Sequence, residues 1–325
     1  MVSLEIFDSS KGDSVSAPKT SPTLRRNLLH LALLAVFLAS GCGQHKLTST
    51  EPIEPGIVQP QGLATTFEVT TWNIENFPLK SSTVELVSKI IAALDIDLYA
   101  IQEIEDTTAF RDLLDRLPEY DGLFSWDEYY WGEYQKTGII YKRSVVSVSQ
   151  TRQLFEGDWD AFPRPPLETH VVAEQNGHRF DFVLIVMHLK AGNDGDDLDR
   201  RRQAAQKLKD YLDAQVAAYV ENDYIVAGDW NDEIDDPPDA NAFSVFLDDS
   251  LDYRFLTSSL AGKFSSASYP RYVTLIDHIL ISQDVVAEYQ GGQTKTLRLD
   301  DEVSNYLADI SDHRPVMAVF PVFGE

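Results

Sequence analysis

Five short polar motifs, each directly after an apolar run, constrain the fold of this 325-residue chain more than any other feature. They are Trp72-Asn73, Gln102-Glu103, His188, Gly228-Asp229-Trp230-Asn231 and Ser311-Asp312-His313-Arg314-Pro315, and Asp277 lies between the last two. Carboxylates, amides and imidazoles at the ends of buried strands are costly to bury unless they bind something. A hard divalent cation together with a phosphate group would engage all of these side chains. The motifs therefore predict a metal-dependent phosphoesterase site.

The net charge of the chain argues against a simple electrostatic grip on nucleic acid. The formal net charge is −25, whereas a protein that makes many phosphate contacts is normally basic. Any attraction for phosphate must therefore come from bound metal and from a local group of arginines and lysines. The acidity also fits a role in solubility alone. The net charge does not decide between that role and phosphate binding through metal and local basic residues.

The only cysteine, Cys42, ends a segment that is typical of a bacterial lipoprotein signal. Arg25-Arg26 precedes the apolar stretch Leu28–Leu38, and small residues follow it, as in a signal peptide. The stretch is shorter than the ~20 residues that span a bilayer. The ending Leu38-Ala39-Ser40-Gly41-Cys42 resembles the lipobox, in which the cysteine is acylated. We therefore expect a protein of the bacterial cell envelope that is lipid-anchored through Cys42, in the outer membrane or facing the periplasm. A cleaved signal and secretion remain the alternative.

The chain is predicted to contain three segments: a signal peptide over 1–41, a flexible tether over 42–65, and one domain over 66–325. The tether is rich in proline, serine and threonine, which cannot form a core. In the domain, alternating segments predict strands, including Phe67–Asn73 and Thr274–Ile276, and a periodic segment predicts a helix over Leu198–Tyr219. Asn176-Gly177 predicts a hairpin turn. Hairpins and helices together predict two mostly antiparallel sheets packed face to face with helices outside.

The motifs, in the order Asn, Glu, His, Asp-x-Asn, Asp, Asp-His, resemble those of the endonuclease/exonuclease/phosphatase family, also called deoxyribonuclease I-like. The resemblance covers about residues 67–320 and implies a four-layer α/β/β/α sandwich. It also implies that Glu103 is the main ligand of Mg²⁺, with Asn73 beside it and Asp312 completing the shell. Mn²⁺ or Ca²⁺ would suit the same oxygen donors. A monomer is expected.

The resemblance also implies roles for the remaining motif residues. Asp229 would orient or deprotonate the attacking water, and Asn231 would donate to a phosphate oxygen. His313 would face the phosphate or act as the base, with its tautomer held by Asp277. His188 follows an apolar run, as in the deoxyribonuclease I and sphingomyelinase branches, where a second histidine faces the phosphate.

One departure from that branch lies at Gln135, near the place where the branch carries a glutamate that pairs with the histidine. His188 is therefore expected to lack its acidic partner. Arg164, in Phe162-Pro163-Arg164-Pro165-Pro166, and Lys190 are the candidates for binding the substrate. His278 follows Asp277, so in a strand its side chain would point away from the site.

Three functions remain open on the sequence. The first is a metal-dependent phosphodiesterase of the cell envelope that hydrolyses DNA or RNA, which the His188/His313 pair and Trp72–Phe77 favour. The second is a phospholipase C of the sphingomyelinase type, or a hydrolase of another small phosphoester. Here the aromatic run Trp126–Tyr134 would meet a phospholipid. The third is a binding lipoprotein that has lost turnover.

Overall fold

The computed structural model describes residues 57–128, 135–218 and 222–324. They belong to one compact unit, Ile53–Glu325. The predicted signal peptide, Cys42 and residues 129–134 of the aromatic run lie outside the described residues, so what the sequence predicts for them stays a prediction. No helix within the described ranges has both the length and the apolar character needed to cross a membrane.

Strands and helices alternate irregularly along the described chain. The strands are β1 Phe67–Phe77, β2 Leu98–Ile104, β3 Tyr120–Phe124, β4 Lys136–Lys142, β5 Val146–Gln153, β6 Leu167–Gln175, β7 His178–His188, β8 Tyr224–Asp229, β9 Tyr253–Phe255, β10 Asp277–Ser282, β11 Gln293–Thr296 and β12 Val316–Phe320. The α-helices are α1 Thr83–Leu94, α2 Thr107–Asp115, α3 Gly195–Ala217, α4 Ser244–Leu247 and α5 Tyr306–Asp309.

The described strands form two six-stranded sheets, in the orders β11-β12-β1-β2-β4-β3 and β5-β6-β7-β8-β10-β9. Neighbouring strands are antiparallel except for the pairs β1/β2 and β7/β8, which are parallel. The prediction of two mostly antiparallel sheets is confirmed. The parallel pairs arise where a helix, α1 or α3, connects the two strands, because a parallel connection needs a crossover.

Three large apolar cores of the described residues separate four layers. Residues on opposite faces of β1 belong to two of these cores. Val69 lies in the core between the sheets, and Trp72 lies in the core that the first sheet shares with α1 and α2 on its outer face. On the second sheet, Met187 of β7 packs with Leu208 of α3. The two-residue period of a strand therefore gives each sheet one face for its partner sheet and one for its helices. The predicted four-layer sandwich is confirmed.

The predicted turn at Asn176-Gly177 connects β6 and β7. Both residues are left-handed, with φ of 55° and 82°, as a two-residue type I′ turn requires. The prediction of a strand over Thr274–Ile276 is wrong. Ile276 accepts instead from the backbone N–H of Trp230 at 2.9 Å, so this segment bonds to the loop after β8, and β10 begins at Asp277.

Residues 57–65, the described end of the predicted tether, pack on the domain. Val58 is buried in the core beneath α1, and the backbone N–H of Gln61 donates to Leu94 at 2.8 Å. The apolar pair Ile57-Val58 explains the packing, since a proline-rich spacer alone offers nothing to bury. The packed chain therefore begins before residue 66.

Candidate active site

The registers of the strands bring the predicted residues to one end of the sandwich. Val69 of β1 points between the sheets, so Asn73, an even number of residues further on, points the same way. His188 at the end of β7 pairs with Asp229 at the end of β8, and Asp277 at the start of β10 pairs with Asp229 as well. Because β7 and β8 end where β10 begins, their polar residues meet between the two sheets.

Asn73 links the carboxylates of the two sheets. Its Nδ2 donates to Glu103 Oε1 and to Asp229 Oδ2, each at 3.0 Å. His188 Nε2 lies 3.7 Å from Glu103 Oε1 and 3.6 Å from Asp229 Oδ2. Asn73 therefore presents its amide N–H groups to these carboxylates and positions them; its role as a metal ligand stays a prediction.

Four non-glycine residues of the site have left-handed backbones, at a cost of about 1–2 kcal/mol each. They are Glu75, Asn76, Glu103 and Asn231, with φ of 38°, 43°, 66° and 56°. The turns are fixed by local contacts: Asn76 N donates to Glu103 Oε2 at 2.8 Å, and Asn231 N donates to Asp229 Oδ1 at 2.9 Å. Backbone strain that collects in one place in this way is typical of a functional site.

The segment Ser311–His313 is tied to both sheets. Ser311 Oγ donates to the carbonyl oxygen of Asn73 at 2.6 Å and accepts from His313 N at 2.9 Å. His313 Nδ1 lies 2.8 Å from Asp277 Oδ2, and the two form the predicted imidazole–carboxylate pair. His313 Nε2 then faces Asp229 Oδ2 at 3.8 Å, so one carboxylate orients the ring and another lies ahead of it.

The two histidines differ in charge. Burial alone would lower the pKa of His313, but the charges of Asp277 and Asp229 outweigh it and raise that pKa to about 10. The pKa of His188 lies well below its usual value because the ring is buried and Arg164 and His313 are nearby. Near neutral pH, His313 is therefore an imidazolium and His188 a neutral imidazole, a division that is typical of acid–base sites.

Among the residues that the structure describes, His188 has no carboxylate partner on its second nitrogen. Nδ1 of His188 is buried and finds no hydrogen-bond partner among the described residues. Gln135 instead accepts from Arg164 and donates from Nε2 to Asn76 Oδ1 at 2.6 Å. Gln135 therefore connects Arg164 to the turn that holds Glu103. It is the residue that the sequence places where the related branch carries the acidic partner of the histidine.

Negative charge crowds the site. Burial raises the pKa of Asp229 to about 7; His313 opposes the shift, while Asp277 and Glu103 add to it. Burial and the nearby charge of Asp312 also raise the pKa of Glu75. A cation would relieve this repulsion.

The cleft itself has a volume of about 540 Å³. Among the described residues that line it are the single guanidinium of Arg164 and a set of carboxylates: Glu75, Glu103, Asp229, Asp232, Glu233, Asp236 and Asp312. Oxygen donors of this kind suit a hard divalent cation, so the residues present fit the expected metal. Asp229, Asp277 and His313 also lie close enough to share an ion, but the hydrogen bond of His313 to Asp277 engages that pair with each other.

Of the two side chains predicted to bind the substrate, Arg164 lines the cleft, as does the predicted catalytic residue Asn231. Lys190 does not: its Nζ lies 2.7 Å from Asp197 Oδ1, at the start of α3, and it is not among the lining residues. His278 points to the other face, where its ring nitrogens contact Thr257 Oγ1 and the carbonyl of Asp232.

Sequence reasoning missed Glu75 and Tyr269. Glu75 Oε2 accepts from the backbone N–H of Asp312 at 2.8 Å. Glu75 lies inside the Trp72–Phe77 motif, and that position is a signal in the sequence by which it could have been found. The Tyr269 ring packs on His313 with centroids 4.8 Å apart. No local pattern marks Tyr269, because it belongs to a loop.

Adding Mg²⁺ is expected to raise the melting temperature of the protein by about 5 °C at a concentration far above the dissociation constant. The reason is that a cation bound among these carboxylates stabilises only the folded state. Glu103→Gln should abolish most of the rise, whereas Glu105→Gln, an exposed carboxylate two residues further on, should keep it. Differential scanning calorimetry with Mg²⁺ and with EDTA measures both, and an equal rise in the two variants would contradict the assignment of Glu103.

Solved structures of known proteins share the fold of this chain. The catalytic domain of human Nocturnin with bound sulfate is 19% identical with a TM-score of 0.57, over 79% of this chain and 95% of that one. D. rerio TDP2 complexed with a single-strand DNA product is 12% identical with a TM-score of 0.56, over 79% and 99%. A Bacteroides thetaiotaomicron mannosyl-6-phosphatase is 17% identical with a TM-score of 0.53, over 78% and 98%.

These likenesses establish the shared fold. No curated protein gives a significant sequence match to this chain. The model of the family described as "Endonuclease/Exonuclease/phosphatase family" matches residues 70–313, a span that contains every predicted catalytic and metal-binding residue. The chain therefore belongs to the endonuclease/exonuclease/phosphatase family.

Proposed function

We propose that this protein is a divalent-metal-dependent phosphodiesterase of the cell envelope and that it hydrolyses nucleic acid. Its family comprises hydrolases of phosphoesters, so that reaction class is the starting point. The observation that carries the proposal is the meeting of Asp229, the His313–Asp277 pair and Glu103 in one cleft. The nucleic-acid substrate is supported by the TDP2 structure, which holds a DNA product.

The side chains present can divide the hydrolysis of a phosphodiester among them. Asp229, between the two imidazoles, orients the attacking water and takes its proton as the water oxygen bonds to phosphorus. The bond from phosphorus to the leaving oxygen breaks in the same displacement, and the leaving oxygen takes a proton from solvent water. His313 donates from Nε2–H to a phosphate oxygen, and its positive charge stabilises the charge that develops there. His188, neutral and buried, can donate a second hydrogen bond from Nε2. Asn231 and Arg164 line the cleft and add amide and guanidinium donors.

Glu103 and Asp312 would hold the metal, with Asn73 supporting Glu103. When bound, a divalent cation would neutralise charge on the phosphate oxygens and promote the ionisation of water. Without it, the carboxylates that line the cleft would repel a phosphodiester. Mg²⁺ is the ion we propose, since carboxylate oxygens and a phosphate ligand are its usual partners.

A second candidate is hydrolysis of a small phosphoester, such as a sugar phosphate or a phospholipid headgroup. The observation in its favour is the acidic part of the cleft formed by Asp232, Glu233 and Asp236, which suits a long polyanion poorly. The similar B. thetaiotaomicron protein is a mannosyl-6-phosphatase.

The test is to incubate the purified protein with supercoiled plasmid, single-stranded RNA, sphingomyelin and mannose 6-phosphate, each with Mg²⁺ and with EDTA. We expect nicking of the plasmid or cleavage of the RNA that requires Mg²⁺. Release of phosphocholine or inorganic phosphate without nucleic-acid cleavage would replace the first candidate with the second. The cell-envelope location rests on the lipobox at Cys42, and loss of Cys42→Ser from the membrane fraction would support it.

A further inference from the structure

A tight loop before β10 carries Arg271 and Tyr272 at the edge of the cleft. Tyr269 and Thr274 close the base of this loop, because their backbones exchange hydrogen bonds of 3.0 and 3.3 Å. Val273 has a left-handed backbone, with φ of 63°, which is rare for a β-branched residue. Strained residues of this kind cluster at active sites and ligand clamps.

A row of stacked side chains extends from the imidazole of His313 to this loop. The ring of Tyr269 packs on His313, with centroids 4.8 Å apart, and the ring of Tyr272 packs on Tyr269, with centroids 5.4 Å apart. The guanidinium carbon of Arg271 lies 5.5 Å from the centroid of the Tyr272 ring. Tyr269 and Tyr272 line the cleft, whereas Arg271 is not among the lining residues. The guanidinium therefore lies at the rim, outside the pocket that His313 faces.

The charge of Arg271 is available to an anionic ligand. Its side chain is exposed and forms no ion pair within the described part of the chain. In contrast, Arg314, which also contacts this part of the chain, pairs with Asp300 at 2.6 Å. Stacking on a ring restrains a guanidinium and leaves the N–H groups at its edge able to donate, which suits a phosphate. Because the formal net charge of the chain is −25, a polyanion would need local cations of this kind.

The position of Arg271 suits a substrate that carries more than one phosphate. A phosphoester with a single phosphate, placed against His313, occupies the pocket and leaves the rim empty. A polynucleotide carries a phosphate at each nucleotide, so a phosphate that flanks the scissile one can lie at the rim.

We propose that Arg271 binds a flanking phosphate of a polynucleotide substrate and that Tyr272 positions its guanidinium. The proposal rests on the proposed function, in which His313 contacts the scissile phosphate. It deepens that function because it assigns to the site a polynucleotide and not a phosphoester with one phosphate.

Three variants separate the charge of Arg271 from the ring that supports it. Arg271→Gln removes the charge, Arg271→Lys keeps it, and Tyr272→Leu removes the ring beneath the guanidinium. The matched control is Arg254→Gln, which alters an exposed arginine that does not line the cleft. Arg254 lies on β9 opposite Ile281, away from the end of β10 that carries the site.

Two substrates are compared with Mg²⁺: a single-stranded oligonucleotide and bis(p-nitrophenyl) phosphate, a diester with one phosphate. kcat and KM are measured for each on the full chain. Binding of the oligonucleotide is measured by fluorescence anisotropy at several salt concentrations, in the Asp229→Asn background so that the strand stays intact. Melting temperatures verify that each variant is folded.

We expect Arg271→Gln to raise KM for the oligonucleotide about tenfold with little change in kcat, because a contact with a flanking phosphate is made before and during the reaction alike. Its kcat/KM for the diester with one phosphate should not change. The slope of log Kd against log salt should become shallower by about 0.7, as expected for the loss of one contact to a single strand. Arg271→Lys should recover most of the affinity, and Tyr272→Leu should lose about threefold.

Arg254→Gln should change none of these quantities. Unchanged oligonucleotide binding in Arg271→Gln, an equal loss in Arg254→Gln, or an equal loss with both substrates would each overturn the proposal. If the wild-type protein binds the oligonucleotide but cleaves neither substrate, the proposed function fails, while the binding measurements still decide the role of Arg271. If it cleaves the diester and does not bind the oligonucleotide, the role of Arg271 fails and hydrolysis of phosphoesters stands.

Discussion

Replacing Asp229 with asparagine is expected to lower the rate of hydrolysis by at least ~10³-fold. Asp229 Oδ2 lies 3.6 Å from His188 Nε2 and 3.8 Å from His313 Nε2, so this carboxylate reaches both imidazoles. Asparagine occupies the same volume but carries no negative charge and accepts no proton from water. The loss should appear in kcat, because the interaction is made with the attacking water and not with the substrate in its ground state.

Asp229→Asn should still fold. The pH dependence of its free energy of unfolding provides a second measurement. The pKa of Asp229 is raised to about 7, chiefly by burial. Its folded-state pKa lies above its unfolded value, so the folded state binds more protons between these two values, and stability falls as the pH rises through that window. Asparagine removes this contribution. In EDTA, the unfolding free energy of Asp229→Asn should therefore improve relative to wild type between pH 4 and pH 8.

Asp235→Asn is the matched control, since Asp235 is exposed on the same loop after β8. It should retain wild-type kcat. Turnover in Asp229→Asn within tenfold of wild type would contradict the catalytic role of Asp229. A drop of equal size in Asp235→Asn would show that the loop, and not the carboxylate, limits the rate.

The strand period explains why so much of this site could be predicted from the sequence. Asn73, Asp229 and Asp277 each lie an even number of residues from an apolar residue that points between the sheets, so their direction follows from alternation alone. Their convergence needs only that the two sheets pack with these strand ends together. A polar side chain that is buried at the end of a strand is costly unless it binds something, so its presence in the sequence indicates a site.

Loop contacts could not be predicted in the same way. Lys190 lies two residues after His188, but a loop turns its side chain to Asp197. Tyr269 reaches His313 because one loop folds over another, and no periodic pattern records that contact. The segment Thr274–Ile276 alternates like a strand, yet its partner is the loop after β8. Side chains on strands are placed by local geometry, whereas those on loops depend on contacts distant in sequence.

Asp277→Asn should produce a loss of activity that depends on pH. Asp277 Oδ2 lies 2.8 Å from His313 Nδ1, and its charge is the main factor that raises the pKa of His313 to about 10 against the effect of burial. With asparagine in its place, burial dominates and the imidazole loses its proton near or below neutral pH. We expect kcat at pH 8 to fall by about 10³-fold and to recover in part at pH 6, where His313 is protonated again.

Two comparisons isolate this effect. His313→Gln removes the imidazole, so its activity should be low at both pH values without recovery. Asp284→Asn, at an exposed carboxylate just beyond β10, should behave as wild type. A loss in Asp277→Asn that is the same at pH 6 and pH 8 would mean that Asp277 acts by holding the ring in place and not by holding its proton.

The free energy of unfolding should depend on the same proton, the one on His313. The pKa of His313 is raised in the folded state, so its contribution to stability is complete below its unfolded value and is lost as the pH rises through about 10. In EDTA, the unfolding free energy of wild type should therefore decline between pH 8 and pH 10.5 more steeply than that of Asp277→Asn, as urea titrations would measure. If the unfolding free energies of wild type and Asp277→Asn declined equally, the proton would not be on His313. The loss of activity in Asp277→Asn would then need a different cause. Agreement between the two measurements would identify the His313–Asp277 pair as the source of the positive charge that faces the phosphate.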